Sequence, residues 1–413
     1  MYRSRAIMRL AAFFLATLIL VPACTFSFRP VESIPTVDPN ATNETKALFM
    51  NLWLEAHSSH TLFGHEDDTL YGIGWRGDPG GSDVRAVTGS YPAVYGWDVG
   101  QIELGGTDTL DGVSFDAMRA GIIAAYRRGG VNTISWHMTN PVNGNLYNDV
   151  RGSAVHKILT DPTYTAKYHQ WLDRFADFAL SLRSGPTPWN PNDHLVPVIF
   201  RPFHEHNTGA FWWGSGPAPF PSEADYIALW RMTVQYLRDV RGVHNLLYAY
   251  SPDTLLMRRA DNTTGRYANF AAFRNAYLDG YPGDAFVDVF GLDDYNDTGN
   301  RRQPGFEESL QYLTQLANDR SDIKLPALTE TGVKEIPDAQ WWTNSLLPVI
   351  RAARHGSDEQ VAWALVWRNG DLTEYYAPFP GQASAADFRT FAASRFIWLQ
   401  DDISVNLYAW PPD

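Results

Sequence analysis

The sequence predicts an α/β fold, a (β/α)8 TIM barrel forming a single domain. Three observations carry that expectation. Short apolar strand-like runs recur eight times, amphipathic helical stretches separate them, and beyond residue 42 no repeat or second linker interrupts the alternation. Strands that alternate with helices imply parallel βαβ units, and eight units suffice to close a barrel. An open doubly wound sheet is the competing arrangement. The first strand lacks the glycine-rich turn that would open a nucleotide site, which weighs against it.

The elements follow in chain order. Arg3, Arg5 and Arg9 form a basic start, residues 10–21 an apolar run, and Pro22-Ala23-Cys24 a small-residue end. This pattern reads as a signal peptide over 1–24, because the apolar run is too short to span a bilayer comfortably. Leu20-Val21-Pro22-Ala23-Cys24 resembles a bacterial lipoprotein box with Cys24 as the lipidated residue. Pro22 is an unusual occupant there, so free secretion stands as the alternative to envelope anchoring. Cys24 is the sole cysteine, which excludes an internal disulfide. Residues 25–42 carry Pro and Thr without a period and read as a linker, leaving 43–413 as the folded domain.

Strands are expected at 60–64, 93–97, 133–137, 196–201, 246–251, 287–292, 327–329 and 362–367. Helices are expected at 114–128, 164–182, 223–241, 269–278, 307–318, 340–354 and 385–399. Phe115, Met118, Ile122 and Ala125 recur at steps of three and four, as do Tyr168, Trp171, Leu172, Phe175 and Phe178. Ser222 stands where an N-cap would start the helix at 223.

Composition narrows the partners. The 413 residues are 45% hydrophobic, enough for one large core, and the formal charge is −13 with no basic cluster. An acidic surface repels phosphate backbones, which excludes a nucleic-acid binder. Fifteen Trp, 20 Tyr and 22 Phe supply flat rings of the kind on which pyranose C–H faces lie, although packing accounts for most rings in any large domain. A monomer is expected, since no coiled-coil or swapping pattern occurs, and any membrane contact would run through the N-terminal lipid alone.

In a barrel the functional groups sit at the C-terminal ends of the strands. The fourth run is followed by Arg201-Pro202-Phe203-His204-Glu205-His206, and the seventh by Glu330-Thr331-Gly332. Two carboxyl groups aimed at one mouth are what glycosidic cleavage needs: one protonates the leaving oxygen, the other attacks the anomeric carbon or activates water. Each alone is also what a structural ion pair looks like. His204-Glu205-His206 does not read as a metal site, because strand alternation separates Glu205 from the histidines and no third ligand is evident. No metal and no cofactor are expected. A serine hydrolase would want a Gly-x-Ser-x-Gly elbow, which is absent.

Longer motifs sharpen this reading. Arg201-Pro202-Phe203-His204-Glu205 followed by Phe211-Trp212-Trp213-Gly214 resembles the acid/base signature of glycoside hydrolase family 26, the β-mannanase family. The segment from Gly64 to Trp75 is similar to that family's first-strand motif, Trp136-His137-Met138-Thr139-Asn140-Pro141 to its third-strand element, and Thr329-Glu330-Thr331-Gly332 to its nucleophile strand. The matches run in order from about residue 60 to 370. The resemblance implies a retaining enzyme acting on mannan or galactomannan, with Glu205 as acid/base and Glu330 as nucleophile. It further implies that Tyr295 holds Glu330, that His204 positions the carboxylates or the sugar, and that His137 meets the sugar at the cleavage point. Trp367 would stack there, and Arg368 would bond hydroxyls one sugar further on. Trp212 and Trp75 are candidate substrate-binding residues from their place in these motifs, with walling of the barrel mouth as the equal alternative. Where the family commonly carries a tryptophan before Phe-Trp-Trp, this chain has Ala210, which leaves its acceptor side open to question.

Other residues have plainer readings. Arg201 is expected to support the carboxylates from beneath, His65-Glu66-Asp67-Asp68 to be loop hydrogen bonding with contact at the substrate rim, and Trp341 and Trp342 to be core. Two alternatives stay open: a hydrolase of xylan or mixed-linkage glucan, and an exported sugar-binding protein without catalysis.

Overall fold

The computed structural model of the chain describes residues 30–188, 190–215, 220–254, 257, 267–295, 304–353 and 359–411. The expected signal peptide, Cys24 and residues 25–29 lie outside them.

Eight strands form the barrel: β1 (Thr61–Glu66), β2 (Val94–Asp98), β3 (Val131–Ser135), β4 (Val198–Arg201), β5 (Leu246–Tyr250), β6 (Val289–Asp294), β7 (Leu325–Thr331) and β8 (Trp363–Val366). They hydrogen-bond in sequence order, all parallel, and β8 pairs with β1 to close the ring. Every residue in these strands is buried. That is the signature of strands covered on both faces, with side chains filling the inside and helices the outside. The closed ring decides the fold in favour of the barrel over an open sheet.

The helices are α1 (Asn43–Ala56), α2 (Asp83–Thr88), α3 (Phe115–Arg127), α4 (Ala154–Thr160), α5 (Pro162–Ser181), α6 (Glu223–Gln235), α7 (Phe270–Tyr277), α8 (Pro304–Asn318), α9 (Leu347–Ala352) and α10 (Ala385–Ala392). Their starts are set by short polar side chains. Ser114, Asp161, Ser222 and Asn269 each accept a backbone N–H from the first turn of α3, α5, α6 and α7. Each such cap stabilises its helix by about 1 kcal/mol. The predicted helix 223–241 runs through a π turn at Tyr236–Val240, and the one at 340–354 begins with another at Trp342–Leu346. The predicted helix 385–399 stops at Ala392, and Ile397–Trp398 instead adds a short strand against β1.

The N-terminal segment departs most from expectation. Residues 30–42, read as linker, are docked on the barrel's N-terminal face. Ile34, Val37 and Ala41 are buried, the Val37 N–H donates to Asp288 Oδ1 at 2.7 Å, and His244 Nδ1 donates to Asp38 Oδ2 at 2.7 Å. From there α1 crosses beneath the strands. The Thr42 N–H donates to His244 O, before β5, and Ala56 O accepts from Gln360 N–H, before β8. Leu48, Phe49 and Leu52 are buried in this plug, as are Thr45, Lys46, Met50 and Asn51. A helix enclosed on nearly all sides carries little amphipathic period, which is why the sequence pattern does not reveal α1.

Candidate active site

The strand ends bring a charged cluster to the C-terminal mouth. Arg201 is the last residue of β4 and is buried. Its guanidinium donates from Nη1 to Asp293 Oδ2 at 2.8 Å and Ser251 Oγ at 3.1 Å, and from Nη2 to Glu330 Oε1. Glu330 lies inside β7 rather than after it. A bulge in the β6–β7 pairing leaves Thr329 unmatched, so that Asp293 comes opposite Glu330. Thr329 Oγ1 then donates to Asp293 Oδ1 at 2.6 Å, and Tyr295 donates from its hydroxyl to Glu330 Oε2 at 2.8 Å. Both oxygens of Glu330 therefore have a fixed donor.

Glu205 enters from the turn after β4. Phe203 and Glu205 both have left-handed backbone, with φ of 52° and 50°. Such conformations cost non-glycine residues about 1–3 kcal/mol each, and recur where a side chain must be aimed. The Glu205 N–H donates to Ser251 O at 2.8 Å at the end of β5, which anchors the turn. One carboxylate oxygen each from Glu205, Asp293 and Glu330 lie within 4.8 Å of one another. Arg201 is committed to the other two carboxylates, and among the described residues no basic side chain bonds Glu205. Burial, and then the negative charges of Asp293 and Glu330, push its carboxyl well above the usual range. The arrangement separates roles: Glu330 is gripped by two donors, whereas Glu205 has none among the described residues and its protonated form is favoured.

A histidine pair forms the adjacent wall. His137, two residues past β3, donates from Nδ1 to Asp98 Oδ2 at 2.7 Å, and Asp98 also accepts from Ser135 Oγ at 2.6 Å. His137 Nε2 meets His204 Nε2 at 3.2 Å, so one ring donates and the other accepts. Burial and the nearby Arg201 push His204 well down, whereas His137, against its own burial, is raised by Asp98.

These groups line a cleft of about 400 Å³ that contains His137, His204, Glu205, Tyr295, Glu330, Trp367 and Arg368. Seven of the nine sequence-predicted site residues thus meet at one place. The other two do not. Trp212 is 2% exposed, donates from Nε1 to Met138 O at 2.7 Å, and packs edge-on against Trp213. It is a wall member behind the cleft, because its polar edge is satisfied inward. Trp75 lies outside the cleft with its Nε1–H bonded to Asp83. The His65–Asp68 cluster is internal hydrogen bonding, with His65 Nδ1 on Asp68 Oδ1 at 2.7 Å and the Tyr71 hydroxyl on Asp67 Oδ2 at 2.7 Å. None of its four residues lines the cleft. Trp341 and Trp342 are core, as expected.

Sequence reasoning missed several contributors. Asp98 and Asp293 close their strand-like runs, so the rule that found Glu205 would have found them too. Asp111 and Glu374 had no such signal. They sit in loops, and hold Arg368 from two sides at 3.0 and 3.2 Å. Tyr147 and Tyr376 complete the walls from the loops after β3 and β8. Ala210 is exposed beside Phe211, leaving open the place where a larger ring would stand.

A profile of glycosyl hydrolase family 26 matches residues 37–341. The chain belongs to glycosyl hydrolase family 26. It is 33% identical over 381 residues to a mannan endo-1,4-beta-mannosidase of Bifidobacterium adolescentis, an alignment covering 88% of this chain and 35% of that longer protein. A mannan endo-1,4-beta-mannosidase of Bacillus subtilis is 27% identical over 371 residues, 83% of this chain and 92% of the relative. Among solved structures, the family 26 beta-mannanase BoMan26A of Bacteroides ovatus superposes with a TM-score of 0.77 at 41% identity, covering 90% of this chain and 98% of that one. A modular endo-beta-1,4-mannanase of Cellulomonas fimi gives 0.75 at 33% identity, covering 90% and 79%.

Proposed function

We propose that this family 26 member is a retaining endo-β-1,4-mannanase that cuts mannan or galactomannan. The observation that carries the mechanism is the carboxylate spacing. Oxygens of Glu205 and Glu330 within 4.8 Å suit double displacement, for which the groups stand about 5–5.5 Å apart, and leave no room for the water that inversion needs at roughly 6.5–9.5 Å. Mannan as substrate and internal cleavage are supported by the activities named for the relatives.

In the first step a Glu330 oxygen bonds the anomeric carbon while the glycosidic C–O bond breaks, and Glu205 gives its proton to the departing oxygen. In the second, Glu205 takes a proton from water, whose oxygen displaces Glu330 and restores the starting configuration. Arg201 and Tyr295 each donate to one Glu330 oxygen and fix its rotamer before attack. The His137 ring contacts the sugar at the cleavage point, Trp367 stacks beneath it, and Arg368, immobilised by Asp111 and Glu374, presents its remaining N–H groups to the next sugar.

The test is reducing-sugar release from linear mannan, galactomannan, xylan and mixed-linkage glucan. Release from the two mannans alone is the expected result. Release from xylan or glucan instead would move the specificity, and none from any of the four would sink the hydrolase reading.

We also propose export with lipidation at Cys24. The basic start, apolar run and cysteine support it, and so does the docking of residues 30–42 on the face opposite the cleft, which would direct the cleft away from a membrane holding Cys24. The wild type is expected in the membrane fraction of a bacterial host and the Cys24→Ser variant in the soluble fraction. A wild type that fractionates as soluble would reject the anchor.

A further inference from the structure

Trp75 is half-buried, and neither it nor the half-buried Phe379 belongs to the hydrophobic core or packs against it. The indole is nevertheless rigid. Its Nε1–H donates to Asp83 Oδ1 at 2.8 Å, and Gly81 lies so close to its six-membered ring that an added Cβ would stand 2.4 Å from Cζ3. Asp83 is itself held, accepting from the Ile73 N–H at 2.9 Å and from Asn369 Nδ2 at 2.8 Å. Trp75, Phe379, Pro79 and Pro380 wall a groove of about 640 Å³, with Asp78 and Arg85 also in its lining. Arg85 is fixed as well: its guanidinium lies 4.8 Å from the Tyr91 ring centroid and donates to the Tyr91 hydroxyl at 3.0 Å.

A half-exposed ring held in place, Trp75 by its bond to Asp83 and Phe379 by edge-on packing against Tyr375 at 5.2 Å, has already lost the freedom that binding would otherwise cost. Of ligands that stack on such rings, a polyanion is disfavoured by a formal charge of −13 and by the carboxylate of Asp78 in the lining. A neutral polyhydroxylated chain suits the set, with rings for its C–H faces and a carboxylate and a guanidinium for its hydroxyls.

We propose that this groove is a second glycan-binding site, which holds another stretch of the polysaccharide that the cleft cleaves. The proposal rests on the reading of the chain as a β-glycan hydrolase. A chain held at the groove raises the concentration of its own neighbouring bonds near Glu205 and Glu330, so the gain appears on polymers and not on oligosaccharides too short to reach both sites.

Phe379→Ala and Trp75→Ala test it. The Phe379 side chain makes no bond in the Asp83 brace, so its variant keeps the proposal open to refutation if Trp75→Ala misfolds. In native gels containing galactomannan, run in a Glu330→Ala background that cannot digest the gel, both substitutions are expected to relieve retardation. With Glu330 intact, Phe379→Ala should raise KM on the polymer by about 2- to 10-fold, the worth of one stacking ring, and leave kcat/KM on mannotetraose unchanged. Wild-type retardation and wild-type polymer KM in Phe379→Ala would overturn the groove, as would an equal loss on mannotetraose. The hydrolase reading fails separately, if the wild-type enzyme releases no sugar from any glycan.

Discussion

Replacing Glu330 with alanine is expected to abolish turnover of mannan, by roughly 10⁴-fold or more, the scale on which removal of a covalent nucleophile acts. The site explains why no neighbour substitutes. Asp293 is the other carboxylate on Arg201, but it is fully buried, bonded by Arg201 and by Thr329, and absent from the cleft lining. His204 is held against His137. The variant also retains Asp293 on the guanidinium, so Arg201 does not become a buried charge without a partner, the condition that unfolds proteins by about 3–5 kcal/mol. Folded, substrate-binding but inactive protein is therefore the expected state, read by a thermal melt, galactomannan affinity and reducing-sugar release. Added azide should occupy the space left by the missing carboxylate and attack the anomeric carbon of an activated mannoside directly, yielding a glycosyl azide of inverted configuration. Near-normal turnover in Glu330→Ala would assign the nucleophile elsewhere. An azide product of retained configuration would contradict direct attack.

Replacing Glu205 with alanine is expected to lower kcat on mannan by about 10²–10⁴-fold, the usual contribution of a positioned acid/base group. Its loss should depend on the substrate. A mannoside with a good leaving group departs without a proton, so the first step survives, the second loses its base, and the glycosyl-enzyme accumulates as a burst. The pH profile gives an independent reading. Burial and the adjacent carboxylates raise Glu205, and the protonated form is the active one in the first step. Wild-type activity should thus fall as pH rises through that raised pKa, and this alkaline limb should vanish in Glu205→Ala on activated substrates. An equal loss on every substrate, with the alkaline limb intact, would refute the acid role.

Much of this was legible in the chain. The eight strand-like runs matched barrel strands because each is a continuous buried apolar segment, a pattern that needs no partner to be recognised. Glu205 was found because a polar residue directly after such a run is delivered to the mouth of any barrel. Glu330 was found by the same rule although it lies inside β7. Ser114, Ser222 and Asn269 mark helix starts through local chemistry.

The sequence leaves Trp75 and Trp212 between sugar contact and wall. Both stand in motifs that resemble substrate-binding segments, and a motif records which residue type occurs but not where its ring turns. The bond from Trp212 to Met138 O turns one ring into the wall, and the bond from Trp75 to Asp83 holds the other in a separate groove. The segment 30–42 looked like linker because its ordering comes from Asp288 and His244, which lie about two hundred residues or more further along the chain.

The sequence by itself determined the class of fold, the order of its elements and the two carboxylates, since each depends on periodicity or on a residue's place relative to one strand. The tertiary structure decided how the two carboxyl groups differ: Glu330 receives two donors, whereas Glu205 is buried beside Asp293 and Glu330 and is raised by them. That outcome follows from one guanidinium shared between Asp293 and Glu330 across a bulge in β7, with Glu205 turned toward them on strained backbone. Charge states of buried groups depend on distances of a few ångströms between separate strands, and only closure of the barrel sets those distances.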